Sequence, residues 1–394
     1  MLSSLRVPVE LLRLPVVGRH SRKSSCAFRG TLRASILRGT DQNIHPMDKS
    51  LTPQAFASNN LNRSLGDRRE AEFLHTAFPH AHFVIVSGSK VMVSRDAMVK
   101  LRWLEARELQ SLQYGPSGVG TIQHSQSEAL SPYLLGKEDS TWRMVLEADE
   151  KLLSSMESSA HELVDLRSLM PVLPMEELAV AGHAVALSNW HKSHVFCGKC
   201  GSRTEPIEAG GKRQCLADPA HREYPRTDPV AIMLVESVDG EHALLGRPRS
   251  LKRRGPVLTC LSGFIEQGES IEEAVAREVR EEAGVDVESV HILGSQPWPI
   301  GRGGSCELMI GCMAKAKSDA LHMDDTEMDD VRWISKADVK KALERSSAAD
   351  NPLTGEHEEQ HQDLDFFVPP PWAIAHHLVK IWAEQQSAWF PAKL

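Results

Sequence analysis

The run from Gly263 to Val285, GFIEQGESIEEAVAREVREEAGV, constrains this chain more than any other stretch. Ser270 followed by Glu273 is a capping box, so a helix begins just after Ser270. Gly284 stands where a helix ends in a left-handed residue that tolerates no Cβ. Between them Ile271, Val275, Val279 and Ala283 recur every four residues and give one apolar stripe for a core. Arg277, Glu278, Glu281 and Glu282 are assigned to the other side of that helix. Glu278 and Glu282 are four residues apart and Glu281 is three from Glu278, so three carboxylates meet on one patch. Their mutual repulsion costs about 0.2–0.5 kcal/mol per pair. A hard divalent cation reverses the cost: Mg²⁺ or Mn²⁺ takes oxygen ligands and bridges substrate phosphates.

The pattern G-x5-E-x7-R-E-U-x-E-E-x-G-U is complete, with Gly263, Glu269, Arg277, Glu278, Glu281, Glu282 and Gly284 at its defined positions. It resembles the signature of the Nudix hydrolases. That resemblance implies hydrolysis of a diphosphate, with metal held by Glu278, Glu281 and Glu282 and with Arg277 orienting the carboxylates. It makes Glu282 the residue that acts as base or holds the water-activating metal. Gly263 and Phe264 form the entry to the helix, and Glu269 supports it. The resemblance also implies an α/β/α sandwich for residues 229–394.

The chain of 394 residues is long enough for two or three domains. No run approaches the ~18 apolar residues that span a bilayer, so no membrane partner is expected. A net charge of −8 disfavours a general nucleic-acid binder. Seven cysteines, three of them within 197–215 at metal-ligand spacing, point to a reducing compartment and not to a disulfide scaffold.

Residues 1–46 differ from the rest. Eight Arg and Lys side chains precede residue 41 against one acid, Glu10, as in a plastid or mitochondrial transit peptide, with Met47 as a second start. Residues 47–190 read as an N-terminal α+β domain: strands over His82–Val86 and Val91–Ser94, an amphipathic helix over Ala97–Leu112, and a helix over Glu176–Trp190. Residues 191–228 read as a small zinc ribbon. Cys197-x-x-Cys200 is followed by Cys215, and His221 is the fourth-ligand candidate, since Cys₃His sites bind zinc well. Asp218, His191 and His194 are alternatives, as is a ribbon that has lost its metal.

In 229–394, strands are expected over Val230–Val235, His242–Leu245, Val257–Leu261, Val290–Leu293 and Leu308–Lys315. The basic loop Arg247–Arg254 is either solvated or placed to meet phosphates. Ser295-Gln296-Pro297-Trp298-Pro299 reads as a proline-braced loop with Trp298 as a stacking platform. With the ribbon and the Tyr224-Pro225-Arg226 linker, it resembles the NADH pyrophosphatase branch of the Nudix hydrolases over roughly residues 50–390, including the Leu51–Arg63 segment. That resemblance implies Glu327 as a further metal ligand, in place of Asp329 or Asp330. It implies Phe264, Tyr224, Trp298, Gln296, Ser295 and Ala373 as substrate contacts, the last heading a closing helix within Pro369–Trp382. It implies a homodimer acting on NADH or NAD⁺. The alternatives are NAD-capped RNA, ADP-ribose, and a nucleotide sensor without catalysis. Residues 346–364 read as a solvent loop, and Ala392-Lys393-Leu394 resembles a peroxisomal address.

Overall fold

Two mixed sheets with one shared pattern of strand pairing organise the protein. The computed structural model describes residues 54–385, apart from 64–65, 70–71, 96–97, 117–120, 125–129, 157–160 and 349–363. The leader over 1–46, Met47, residues 51–53, most of the 346–364 loop and Ala392-Lys393-Leu394 lie outside the described residues.

The N-terminal part opens with α1 (Phe73–Ala77). It continues through β1 (Ala81–Ser87), β2 (Lys90–Arg95), β3 (Val99–Leu101), β4 (Trp103–Glu105) and α2 (Ala106–Ser111). After a small hairpin, β5 (Tyr114–Pro116) and β6 (Ile122–His124), come β7 (Tyr133–Glu138), β8 (Thr141–Glu147), α3 (Glu150–Met156), β9 (His161–Asp165), α4 (Leu166–Leu169) and α5 (Met175–Ser193). The ribbon is β10 (Thr204–Ile207), β11 (Lys212–Cys215) and β12 (Arg222–Glu223). Then follow β13 (Asp228–Glu236), β14 (His242–Pro248), β15 (Leu261–Phe264), α6 (Ile271–Ala283), β16 (Val287–Trp298), β17 (Glu307–Ala316), β18 (Met328–Ser335), α7 (Lys336–Ala348) and α8 (Ile374–Glu384). No helix among the described residues is long and apolar enough to cross a membrane.

In the C-terminal sheet, β13 pairs antiparallel with β14 and β15 and parallel with β17. β16 extends β17, and β18 extends β14. In the N-terminal sheet, β1 pairs antiparallel with β2 and β4 and parallel with β8. β7 extends β8, and β9 extends β2. The two pairing schemes are the same, with β3 the one addition. Helix α8 packs on β13 and β17 as α5 packs on β1 and β8. The difference is the helix after the third equivalent strand: α6 has 13 residues, α2 only 6.

The C-terminal sheet is filled on one face by α6, through Ala274, Val275, Val279 and Ala283. On the other face α7 and α8 bring Val339, Leu378 and Trp382. This is an α/β/α sandwich. A buried network closes it: Lys315 Nζ donates to Glu236 Oε1 at 3.0 Å, and Trp382 Nε1 donates to Glu236 Oε2 at 2.9 Å.

Three expectations need correction. The described part of Ala97–Leu112, residues 98–112, is not one helix; β4 is recruited by β1 through Val84↔Trp103 and His82↔Glu105, and only Ala106–Ser111 is helical. Residues 257–260 are not strand; they make single bridges, Val257 to Phe367 and Thr259 to Gly246, before β15 starts at Leu261. Finally, SQPWP is not a loop. Ser295–Trp298 continue β16, with Pro297 opposite Leu308, because β16 is a sheet edge where a missing N–H costs no ladder bond.

Candidate active site

Strand β15 and the start of α6 bring Gly263 beneath the Glu278 side chain. A Cβ at Gly263 would lie 1.9 Å from the Glu278 carboxyl carbon, so only glycine leaves that carboxylate its place. Ser270 caps α6 by accepting from Glu273 N at 3.2 Å, and Glu273 returns the bond to Ser270 N at 2.8 Å. Gly284 closes the helix at φ 69°.

Arg277 ties the acids together. Its Nε and Nη2 donate to the two Glu269 oxygens at 2.8 and 2.9 Å. Nη1 donates to Glu278 at 2.7 Å and Glu281 at 3.0 Å, and Nη2 also reaches the Phe264 carbonyl at 2.9 Å. The Arg277 bonds hold the Glu269 carboxyl down at about 2. Burial pushes Glu278 upward instead. Burial, then the Glu278 and Glu327 charges, push Glu282 up to about 8. Glu282, assigned to the side of the helix away from the apolar stripe, is nevertheless buried: it is 6% exposed, and its Oε2 has no partner. The helix stripe is wider than the apolar positions alone, and Glu282 sits at its edge under β15.

These groups line a cleft of about 540 Å³ with Phe264, Ser262 and Glu327. The donors are all carboxylate oxygen, the set a hard divalent cation takes, and the orphaned Glu282 oxygen marks where a positive charge is owed. The cleft also holds Arg249, from the basic loop expected either to be solvated or to meet phosphates, and two residues outside that expectation, Arg302 and Glu307. Arg302 lies in the glycine-rich insertion Ile300–Ser305, and Glu307 anchors that turn by accepting from Arg302 N at 3.2 Å and Ser305 Oγ at 3.0 Å. For Arg302, an arginine inside a glycine-rich insertion was the available signal. The basic loop is tied down: Arg247 and Lys252 both pair with Asp329, at 2.8 and 2.7 Å, so Asp329 is committed and Glu327 is left to the cleft.

The expected base-gripping residues separate. Phe264 lines the cleft and is 47% exposed. Tyr224, Ser295, Gln296, Trp298 and Ala373 are not among the lining residues. Gln296 is fully used: its Nε2 donates to the Ala55 and Trp372 carbonyls at 3.0 and 2.8 Å, and its Oε1 accepts from Ile374 N at 2.8 Å. It cross-ties the N-terminal segment to the head of α8. Trp298 packs edge-on against Phe56 at 5.8 Å, beneath the Arg167 guanidinium, so its ring is engaged with the N-terminal core. Ala373 is the N-cap of α8, and Tyr224 and Ser295 are exposed.

In the ribbon, the ligand atoms of Cys197, Cys200, Cys215 and His221 lie within 4.8 Å of one another. His221 Nδ1 faces Cys197 Sγ at 3.7 Å, while Asp218 takes His221 Nε2 at 3.3 Å. A carboxylate on the far nitrogen is how a ligating imidazole is oriented. Bonds from the Ser202 amide and hydroxyl and from His221 lower the Cys200 thiol to about 6. Cys₃His with such support suits zinc. His191 and His194 are occupied elsewhere: His191 stacks on Tyr133 at 3.7 Å, and His194 Nδ1 meets the Trp190 carbonyl at 3.0 Å.

Comparison with known proteins agrees with this layout. Residues 226–354 match the NUDIX domain, residues 192–223 the NADH pyrophosphatase zinc ribbon domain, and residues 80–190 the NADH pyrophosphatase-like rudimentary NUDIX domain. The NAD-capped RNA hydrolase of Schizosaccharomyces pombe is 30% identical over 84% of this chain and 93% of its own length. The chain belongs to the Nudix hydrolases. Nudix hydrolase 19, chloroplastic, of Arabidopsis thaliana is 40% identical over 63% of each chain. The human NAD-capped RNA hydrolase NUDT12 is 41% identical over 53% of this chain and 42% of its own. The chain thus spans under two thirds of these last two Nudix relatives. The rudimentary domain gives the repeated pairing scheme its meaning: the N-terminal sheet has the Nudix topology with α2 too short to carry a carboxylate box.

Proposed function

We propose that this Nudix hydrolase cleaves the pyrophosphate of NADH, and of NAD⁺, to the corresponding nicotinamide mononucleotide and AMP, using Mg²⁺ or Mn²⁺. The observation that carries the reading is the buried, half-orphaned Glu282 beside Glu278 and Glu327 in a cleft that Arg249 and Arg302 also line. When bound, the divalent ion neutralises the diphosphate and lowers the pKa of a water. Glu278, Glu281, Glu282 and Glu327 are the residues to hold it. Arg277 fixes their orientation through Glu269 and the Phe264 carbonyl, and Glu282 takes the proton as the water oxygen attacks phosphorus. The bridging oxygen leaves with the other mononucleotide. Phe264, half-exposed at the mouth, offers a ring face to a base.

NAD-capped RNA is a second reading, favoured because the fission-yeast and human relatives are NAD-capped RNA hydrolases and because its 5′ end carries the same pyrophosphate. A homodimer fits the exposed aromatic Tyr224, which a second copy would cover. Delivery to a plastid or mitochondrion is supported by the composition of 1–46 and by the chloroplastic relative, and Ala392-Lys393-Leu394 supports a peroxisomal pool. The test is product analysis of the full chain with Mg²⁺ or Mn²⁺ against NADH, NAD⁺, ADP-ribose and an NAD-capped oligoribonucleotide, with Glu282→Gln alongside. AMP and reduced mononucleotide from NADH, lost in the variant, are expected. Preference for ADP-ribose, or no turnover by a folded chain, overturns the reading.

A further inference from the structure

A second cavity, of about 490 Å³, opens where the N-terminal sheet, the ribbon and the Nudix sheet meet. Its walls include Leu134, Leu187, Pro297 and Leu308, which give flat apolar surface. Three cations reach it: Arg63, Arg68 and Arg226. Arg226 is paired with Asp228 at 2.5 Å. Neither Arg63 nor Arg68 makes an ion pair among the described residues; the acid near Arg68, Glu208, is paired with Lys212, and Arg68 Nε is buried without a hydrogen bond. The acid on the wall, Glu307, is already accepting from Arg302 N and Ser305 Oγ.

One further donor and one ring nitrogen are left over. Trp190 is 6% exposed, lines the cavity, and its Nε1–H has no partner. Its ring is held in place by His191 and His194. His183, on the same helix, has an unpartnered Nδ1, and burial keeps it neutral by lowering it to about 4. Buried polar groups in native proteins are satisfied, so unpaired donors beside two free guanidiniums mark a missing acceptor. Free guanidiniums match phosphate geometry, a buried indole N–H suits a ring nitrogen or carbonyl, and the volume is that of a small-molecule site.

We propose that this cavity is a binding site for a mononucleotide-sized anion, a flat heterocycle carrying one phosphate, gripped by Arg63 and Arg68 and hydrogen-bonded by Trp190. It needs no divalent ion and does not rest on which dinucleotide the acidic cleft cleaves. Because Glu307 lines both cavities, the ligand sits against the turn that carries Arg302 into the cleft.

Calorimetric titration of the full chain with AMP, without added divalent metal, tests it. Inorganic phosphate and adenosine serve as half-probes. Saturable binding is expected, tighter than for either half-probe and unchanged in Glu282→Gln. It weakens roughly tenfold in Arg63→Ala and Arg68→Ala, and several-fold in Trp190→Phe. Arg63 is exposed, so its variant decides the matter even if Arg68→Ala fails to fold, which circular dichroism reports. No saturation up to about 1 mM overturns the proposal, as do an unchanged Kd in Arg63→Ala or loss of binding in Glu282→Gln.

Discussion

At Gly263 one missing atom decides the geometry of the acidic cleft. The position has ordinary backbone angles, so alanine strains nothing in the main chain. Its Cβ would nevertheless fall 1.9 Å from Glu278 Cδ, and the carboxylate must move. Displacing a positioned group by about 1 Å costs on the order of a hundredfold in rate. Gly263→Ala should therefore lower kcat at least that far while the urea midpoint changes little. A variant that keeps its activity would show that Glu278 is not held where it works. The identity of these acids was plain from the sequence, but the burial of Glu282 was not. Helical spacing gives the direction of a side chain and says nothing of β15, which covers it, because that contact is set by Met233↔Leu261 and Val230↔Phe264 pairing far along the chain.

Helix α6 is the element whose limits were legible, since both its ends are fixed by local chemistry. Ser270 and Glu273 exchange bonds within four residues, and Gly284 takes the left-handed conformation itself. Ser270→Ala should lower stability by about 1 kcal/mol. Gly284→Ala should cost more: φ 69° disfavours any Cβ, and the added atom would meet His322 Cβ at 2.5 Å. Urea unfolding of the two variants checks the order, and equal losses would mean that the His322 contact gives way freely. Where element boundaries depend on partners, sequence spacing misleads. Residues 97–112 have helical spacing, yet β1 draws Trp103–Glu105 into its sheet. The repeated sheet topology was invisible for the same reason: it resides in which strands pair, and the two halves share no residue pattern that announces it.

Across the described molecule, three histidines held well below their ordinary pKa weigh most on how the fold responds to acid. Burial lowers His183 to about 4, His191 to about 3 and His376 to about 4, from an ordinary 6.5. They sit in different places: two on α5, against the N-terminal sheet and the ribbon, and one on α8. His191 shows why the charged form is excluded. Arg213 Nη1 donates to its Nδ1 at 3.0 Å, while Nε2 faces the Gly210 carbonyl at 2.9 Å. A second proton would replace the Arg213 bond with a cation beside a cation. Each folded-state pKa is depressed, so the stabilisation is complete above pH 6.5 and is lost as pH falls towards 4, where only the unfolded chain binds the proton. The slope is about 1.4 kcal/mol per pH unit for each histidine once it is protonated in the unfolded chain, or about 4 for the three together; Glu282, pushed up to about 8, takes its proton first in the folded chain and offsets about 1.4 of this, leaving about 3. Against a total of roughly 5–15 kcal/mol, that is enough to unfold the protein within a few pH units of neutrality. Carboxylates held low, such as Glu269 at about 2, add their loss only further down. Urea midpoints at pH 7.5, 6 and 5 should fall below 6.5, and His191→Gln, which cannot titrate, should flatten the slope by about half. A midpoint that stays level to pH 5 would mean that these imidazoles accept protons in place, and that α5 does not join the ribbon to the sheet as rigidly as its contacts describe.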